Sequence, residues 1–168
     1  MNEDERKIQW CLKKERGISL VSPNNNLAKA YMAKAKESAD VMRTIQNKSP
    51  AWAMSACYYS MYYSLYAVMM KLGVKSEIHS CSITFMRYAL TEYYDETDVQ
   101  LLEQAFEARI DQQYYIRKVP KSEKLQELFD DTIIFYEKSK KALSKIDEEF
   151  TSSVREKIRL LDKKRKRH

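Results

Sequence analysis

Glycine and proline are scarce in this chain, and their scarcity limits what it can fold into. Only 2 glycines and 3 prolines occur in 168 residues. Because these residues supply most special turn conformations, the loops must be short. Alternating Val/Ile/Thr runs of strand length are absent, and residues that favour helix dominate. The sequence therefore predicts an all-α fold in a chain of one-domain length.

Capping residues and apolar periodicity divide the chain into helices. Ser49 and Pro50 are typical of a helix start, and Gly73 is typical of a helix end. Apolar residues recur every three or four positions between such signals. The pattern predicts a short first helix, four further helices and a long last one, at about residues 2–14, 27–46, 50–72, 79–93, 98–115 and 122–162.

The stretch Ala51–Met70 contains no charged residue, and it is the longest such segment of low polarity. It carries five tyrosines, three serines and a cysteine, which are too polar for a membrane span because each buried hydroxyl needs a partner. Its apolar surface is also wider than one helix face. We expect a buried helix at the centre of a bundle.

The first ten residues are charged, unlike a signal peptide, and favour a cytoplasmic protein. Cys11, Cys57 and Cys81 form an odd set without Cys-x-x-Cys spacing, which predicts reduced thiols. His79 and His168 are the two histidines, too few for a metal site with several His and Cys ligands. No metal and no cofactor are therefore predicted.

The net charge of +6 is concentrated at the C-terminus. Residues 155–168 contain eight Lys/Arg and two acids, so residues 1–154 are neutral as a whole. We predict one bundle over 1–154 and a basic tail over 155–168. The tail has two interpretations: a surface that attracts phosphates, or a frayed helix end whose charge suits the helix dipole.

Three separated elements resemble the signature of HEPN domains, most closely their small stand-alone prokaryotic branch. The run Tyr58-Tyr59-Ser60-Met61-Tyr62-Tyr63 lies in a helix that ends at glycine. A basic residue and a histidine follow, and a later helix carries an arginine with two tyrosines a short way on. These are Gly73, Lys75, His79, Arg109, Tyr114 and Tyr115. The likeness covers residues 27–116.

The resemblance implies an up-and-down bundle of four or five helices, commonly a homodimer. It also implies pairing with a small nucleotidyltransferase, as in toxin–antitoxin systems. Many relatives cut RNA without a metal, using an arginine, usually a polar residue, and a histidine after a spacer of four to six residues.

The chain departs from that RNase motif. No histidine lies between Arg109 and the tail, Ile110 is apolar, and Tyr114 stands five positions after Arg109. A tyrosine, whose ordinary pKa is about 10, is a poor base near neutral pH. The leading hypothesis is therefore a non-catalytic or weakly active module that binds a nucleotide, RNA or a nucleotidyltransferase.

The candidate binding residues each have a structural alternative. Arg109 is a candidate phosphate ligand with Tyr114 and Tyr115 beside it, or it pairs with Asp111 or Glu107, or crosses a dimer interface. His79 is a candidate acid/base, or it makes an ordinary hydrogen bond.

Tyr59 and Tyr63 are candidate nucleotide contacts, or they belong to the core and a dimer interface with the neighbouring tyrosines. The alternative functions are a divergent metal-independent RNase that uses Arg109 and His79, and a purely structural interaction bundle.

Overall fold

The computed structural model describes residues 2–114 and 122–166, and the side chains of all of these except 112–114 and 122. The predicted all-α fold is confirmed, since this part of the chain forms helices joined by short loops and one two-stranded ladder. Its elements are α1 Glu3–Lys13, β1 Ser19–Leu20, α2 Asn25–Ile45, α3 Pro50–Leu72, β2 Val74–Lys75, α4 His79–Ala89, α5 Glu96–Tyr114, α6 Ser122–Lys145 and α7 Glu148–Lys166. None of these helices is long and apolar enough to cross a membrane.

Helix α3 is the centre of the bundle, as its uncharged sequence predicts. Helices α2, α5 and α6 pack against it, and most of its side chains are buried. Its serines are satisfied inside the core: the Ser60 hydroxyl donates to the Ala35 carbonyl at 2.9 Å, and the Ser64 hydroxyl donates to the Ser60 carbonyl at 2.8 Å. Small residues at this contact let α2 approach α3 closely.

The end of α3 is fixed by a glycine and an arginine. Gly73 has φ +68°, and a Cβ there would lie 2.3 Å from Arg155 Nη1. Arg155 Nη1 donates to the carbonyls of Val21 at 2.7 Å, Leu72 at 3.2 Å and Gly73 at 2.7 Å. Just beyond, β1 pairs with β2 in antiparallel register. The last carbonyls of a helix normally lack partners within the helix. Here Gly73, Arg155 and the pairing of β1 with β2 together close that end.

The region predicted as one last helix consists of two helices, so that prediction is wrong. Helix α6 ends at Lys145, and Asp147 starts α7 by accepting a hydrogen bond from the Phe150 amide at 2.8 Å. Ile158 and Leu161 of α7 are buried in the main core. The proposed boundary at residue 154 stays a prediction, and α7 continues through it.

The prediction of three reduced thiols is also wrong. Cys11 of α1 and Cys81 of α4 form a disulfide, with a Cα–Cα distance of 5.7 Å across a sequence separation of 70. Cys57 is a free, buried thiol. The two bonded sulfurs lie in the core where α1 packs on α4, a proximity that the spacing of the cysteines along the chain does not show.

Candidate functional site

Helices α3, α4 and α5 bring two of the predicted polar residues to one tyrosine. Tyr58 is fully buried on α3. Its hydroxyl shares a hydrogen bond with Nδ1 of His79, the first residue of α4. The guanidinium carbon of Arg109, on α5, stands 5.2 Å from the centre of the Tyr58 ring. His79 and Arg109, which are 30 residues apart in the sequence, thus converge on Tyr58.

Arg109 lies among aromatic side chains. Its Nη1 donates to the Tyr59 hydroxyl at 3.1 Å. Its guanidinium carbon also stands 5.6 Å from the ring centres of Tyr59 and Phe106. The aromatic faces attract the cation and hold the plane of the guanidinium. The arrangement presents a positioned arginine at the edge of the core.

His79 packs against aromatic rings. Its ring lies 4.2 Å from that of Tyr62, at an interplanar angle of 11°, and 5.9 Å from that of Phe106. Burial lowers the pKa of His79 below its ordinary value, and the positive charge of Arg109 lowers it further. The imidazole is therefore neutral at neutral pH.

The hydroxyls of Tyr58 and Tyr62 are also neutral. Burial raises the pKa of Tyr58 above its ordinary range and raises that of Tyr62 to about 12. The Tyr62 hydroxyl lies 3.4 Å from Ser82 Oγ. With a neutral histidine and neutral phenols, Arg109 supplies the positive charge of this cluster.

Tyr59 and Tyr63 lie at the boundary between this cluster and an open groove. Their rings are 5.6 Å apart and stacked, and both line a groove of about 470 Å³ between α2 and α3. Trp52, which is 65 % exposed, and Val41, which is 45 % exposed, form part of its apolar wall. Polar side chains also line it: Lys34, Glu37, Ser38 and Ser55. Because Tyr59 also accepts from Arg109, the arginine and the groove share one side chain.

The remaining predicted residues fall outside what the structure describes. Tyr114 ends α5, but its side chain is outside the described part, and Tyr115 is outside it altogether. Phe106, which contacts both Arg109 and His79, is not among the predicted site residues. Tyr58 and Tyr62 are one turn apart on the same side of α3, and both contact the His79 ring.

The fold and the site together define an all-helical bundle with a tyrosine-rich central helix and an arginine and a histidine at one buried tyrosine. The family model described as the HEPN domain matches residues 28–146. That match covers more than half of the chain, so the chain belongs to the HEPN domain family. Membership supports a nucleotide- or RNA-related module in general. A search of curated proteins found no match.

Proposed function

We propose that this HEPN domain is a nucleotide- or RNA-binding module that lacks the usual HEPN RNase chemistry. Arg109 is the phosphate ligand, and the groove between α2 and α3 receives the base. The observation that carries the proposal is the hydrogen bond from Arg109 to Tyr59, because Tyr59 is also a wall of that groove.

Arg109 is well placed to bind a phosphate because its side chain is already held in position before the nucleotide binds. The rings of Tyr58, Tyr59 and Phe106 surround its guanidinium, so little side-chain freedom remains to be lost on binding. Arginine binds phosphate through paired N–H donors, which makes it a stronger and more directional ligand than lysine.

The groove suits a base because its size and its walls match those of small-molecule sites. Its volume of about 470 Å³ falls within the usual range of such sites. Tyr59, Tyr63 and Trp52 offer aromatic faces, and stacking of a base on such a face contributes about 1–3 kcal/mol. Glu37 and Ser38 at the same groove offer hydrogen-bond acceptors for a base edge.

The missing motif histidine argues against RNA cleavage in the usual manner. His79 does not occupy that position in the sequence, and its Nδ1 is engaged by Tyr58. Cleavage through the 2′-hydroxyl needs a proton acceptor next to the reacting phosphate. The proposed role of His79 is to position Tyr58 and, through its ring contacts, the aromatic cluster that holds Arg109.

A direct test is binding of ATP and UMP by calorimetry, with wild-type protein, Arg109→Ala and Arg16→Ala. Arg16 is an exposed arginine in the turn after α1 and serves as the matched control. Loss of a charged phosphate ligand is expected to weaken binding roughly 10- to 100-fold, about 1.5–3 kcal/mol, in Arg109→Ala alone. Equal affinity of the two variants, or no binding by wild type, would contradict the proposal.

A metal-independent RNase is the second candidate function, favoured by the convergence of Arg109 and His79 on Tyr58. The lowered pKa of His79 would keep it able to accept a proton at neutral pH. Incubation of single-stranded RNA in EDTA with wild-type protein, Arg109→Ala and His79→Ala tests this candidate. Cleavage by wild type that both variants lose would favour it over the binding module; no cleavage removes it.

The proposal includes a cytoplasmic homodimer that partners a small nucleotidyltransferase. HEPN domains often dimerise, which supports the homodimer. Light scattering of the purified protein tests the homodimer, with a mass of one chain as the contradicting result. Copurification with a nucleotidyltransferase encoded nearby tests the partner.

A further inference from the structure

The net positive charge of the chain is concentrated in residues 155–168, most of which lie on α7, and α7 is a docked helix. Residues 155–168 carry charge equal to the net +6 of the whole chain. One side of α7 is buried through Val154, Ile158 and Leu161. Arg155 donates hydrogen bonds to three backbone carbonyls. The side chains on the opposite side of α7 are therefore displayed from a fixed backbone up to Lys166, the last described residue.

The outward side of α7 carries a dense row of cations. Five basic residues are exposed there: Lys157, Arg159, Lys163, Lys164 and Lys166. Within the described chain, Lys157, Lys163 and Lys164 have no ion pair, whereas Arg159 pairs with Glu156 at 3.4 Å and Lys166 with Asp162 at 2.7 Å. Exposed pairs of this kind contribute at most about 1 kcal/mol, so a phosphate competes with them easily.

The length of this row suits a nucleic-acid strand. From Lys157 to Lys166 the helix rises roughly 13 Å, which corresponds to about four phosphates at 3.4 Å each along a strand. Helix α1 lies beside α7, since Gln9 Nε2 donates to the Leu161 carbonyl at 3.5 Å.

A lipid surface fits this helix less well. A helix that binds at a membrane interface inserts an apolar face between the lipids. The apolar face of α7 is already buried in the protein core, and among its described residues Leu160, 48 % exposed, is the large apolar side chain that faces outward. The surface therefore offers charge without an apolar face to insert.

We propose that the outward side of α7, centred on Lys157, Lys163 and Lys164, binds the phosphate backbone of a nucleic-acid strand. This surface is separate from the Arg109 site. Arg155 holds α7 against Gly73 at the end of α3, whereas Arg109 contacts Tyr59, which lies 14 residues, or roughly 21 Å, earlier along α3. It would bind without regard to base sequence, because nothing on it is arranged to contact a base edge.

The test measures binding of a fluorescein-labelled 20-nucleotide poly(U) RNA by anisotropy over a range of salt concentrations. The variant is K157Q/K163Q/K164Q, since glutamine keeps helix propensity similar. At about 100 mM salt we expect a roughly 10-fold or larger loss of affinity. The slope of log K against log salt should fall in magnitude by about 2, from three fewer contacts on a single strand.

Four controls keep the test decisive. K29Q/K48Q/K141Q changes the charge equally at three lysines exposed elsewhere on the described surface and should bind RNA as wild type does. K157R/K163R/K164R should retain binding. The α7 glutamine variant should bind UMP as wild type does, whereas Arg109→Ala should lose UMP binding and lower the salt slope by at most about 0.7, the value of one phosphate contact, so failure of either site is recognised separately.

Several results would overturn the proposal. They are no RNA binding by wild type, equal losses in the two glutamine variants, or a loss of UMP binding that parallels the loss of RNA binding. Tighter binding to vesicles containing 25 % phosphatidylserine than to RNA would also overturn it, in favour of a lipid surface. Thermal unfolding of each variant establishes that it is folded.

Discussion

Two arginines from other helices, Arg155 of α7 and Arg109 of α5, contact different parts of α3 and make different kinds of contact. At the C-terminal end, Arg155 donates to three backbone carbonyls. In the N-terminal half, Arg109 lies among aromatic rings and donates to the Tyr59 hydroxyl. Backbone carbonyls belong to the fold itself, whereas the Tyr59 hydroxyl stands at the wall of a groove. The same residue type therefore stabilises the bundle at one end of α3 and, in the proposed function, binds a phosphate beside its other half.

The comparison predicts that changes near Gly73 act on stability and that changes near Tyr59 act on binding. Helix α1 contacts both regions, because it is bonded to α4 through Cys11–Cys81 and packs on α7. Perturbing each region in turn tests whether the two levels of α3 are independent.

The disulfide should give the largest effect. The bond closes a loop of 70 residues, and disulfides typically stabilise a fold by about 2–4 kcal/mol, mainly by constraining the unfolded chain. We expect C11S/C81S to lower the free energy of unfolding in urea by that amount. Hydrogen exchange should quicken in α4, next to His79, more than at Gly73. Equal quickening at both places would show that the two regions are not independent.

Loss of Arg155 should come next. Arg155→Met keeps the aliphatic stem but removes the donor to three carbonyls, so we expect a loss of about 2 kcal/mol in unfolding free energy. Arg159→Met, one turn further on the exposed side, should cost less than about 0.5 kcal/mol. Nucleotide affinity should be unchanged in both variants. A loss of affinity in Arg155→Met would contradict the prediction that changes near Gly73 act on stability and not on binding.

Tyr58 and Tyr59 offer a smaller and sharper contrast. Tyr58→Phe removes the buried hydrogen bond to His79 and should cost about 1 kcal/mol of stability. Tyr59→Phe removes a hydroxyl beside the groove, so it should cost less stability but more nucleotide affinity. Urea unfolding and calorimetry on the same two proteins measure both effects, and the reverse order would contradict our assignment.

The pH dependence from His79 should be the smallest effect. The pKa of His79 is lowered in the folded protein, whereas in the unfolded chain it has the ordinary histidine value near 6.5. Below that pH the unfolded chain therefore binds more protons than the folded protein does. Stability is therefore full above that pH and declines as the pH falls through the folded pKa. NMR titration of His79 in Arg109→Gln should show a higher pKa than in wild type, still below the ordinary value, since burial is the larger cause. An unchanged pKa of His79 would contradict the electrostatic effect of Arg109 on it.

Local signals in the sequence predicted the helices well where those signals exist. The bounds of α3 follow from Pro50 and Gly73, whose backbone preferences act without reference to the rest of the fold. The break between α6 and α7 contains neither glycine nor proline, and the apolar period continues across it. Asp147, followed by Glu148 and Glu149, was a start signal that the periodicity obscured.

The site was less accessible from the sequence because it depends on contacts distant in the chain. His79 meets Tyr58 across 21 residues, and Arg109 meets Tyr59 across 50. Residue type identified Arg109, His79, Tyr59 and Tyr63 as candidates, but the linking role of Tyr58 and Phe106 needed the packing of α4 and α5 on α3. The disulfide was missed for the same reason.

The exposed indole of Trp52 gives the groove an intrinsic optical reporter. The chain has 2 tryptophans, and the other, Trp10, lies on α1 beside Lys14 and outside the α2–α3 groove. In a Trp10→Phe protein, the tryptophan emission would therefore come from Trp52 alone. Any molecule or partner that enters the groove would displace water from that ring and alter its emission, so occupancy could be followed without attaching a dye.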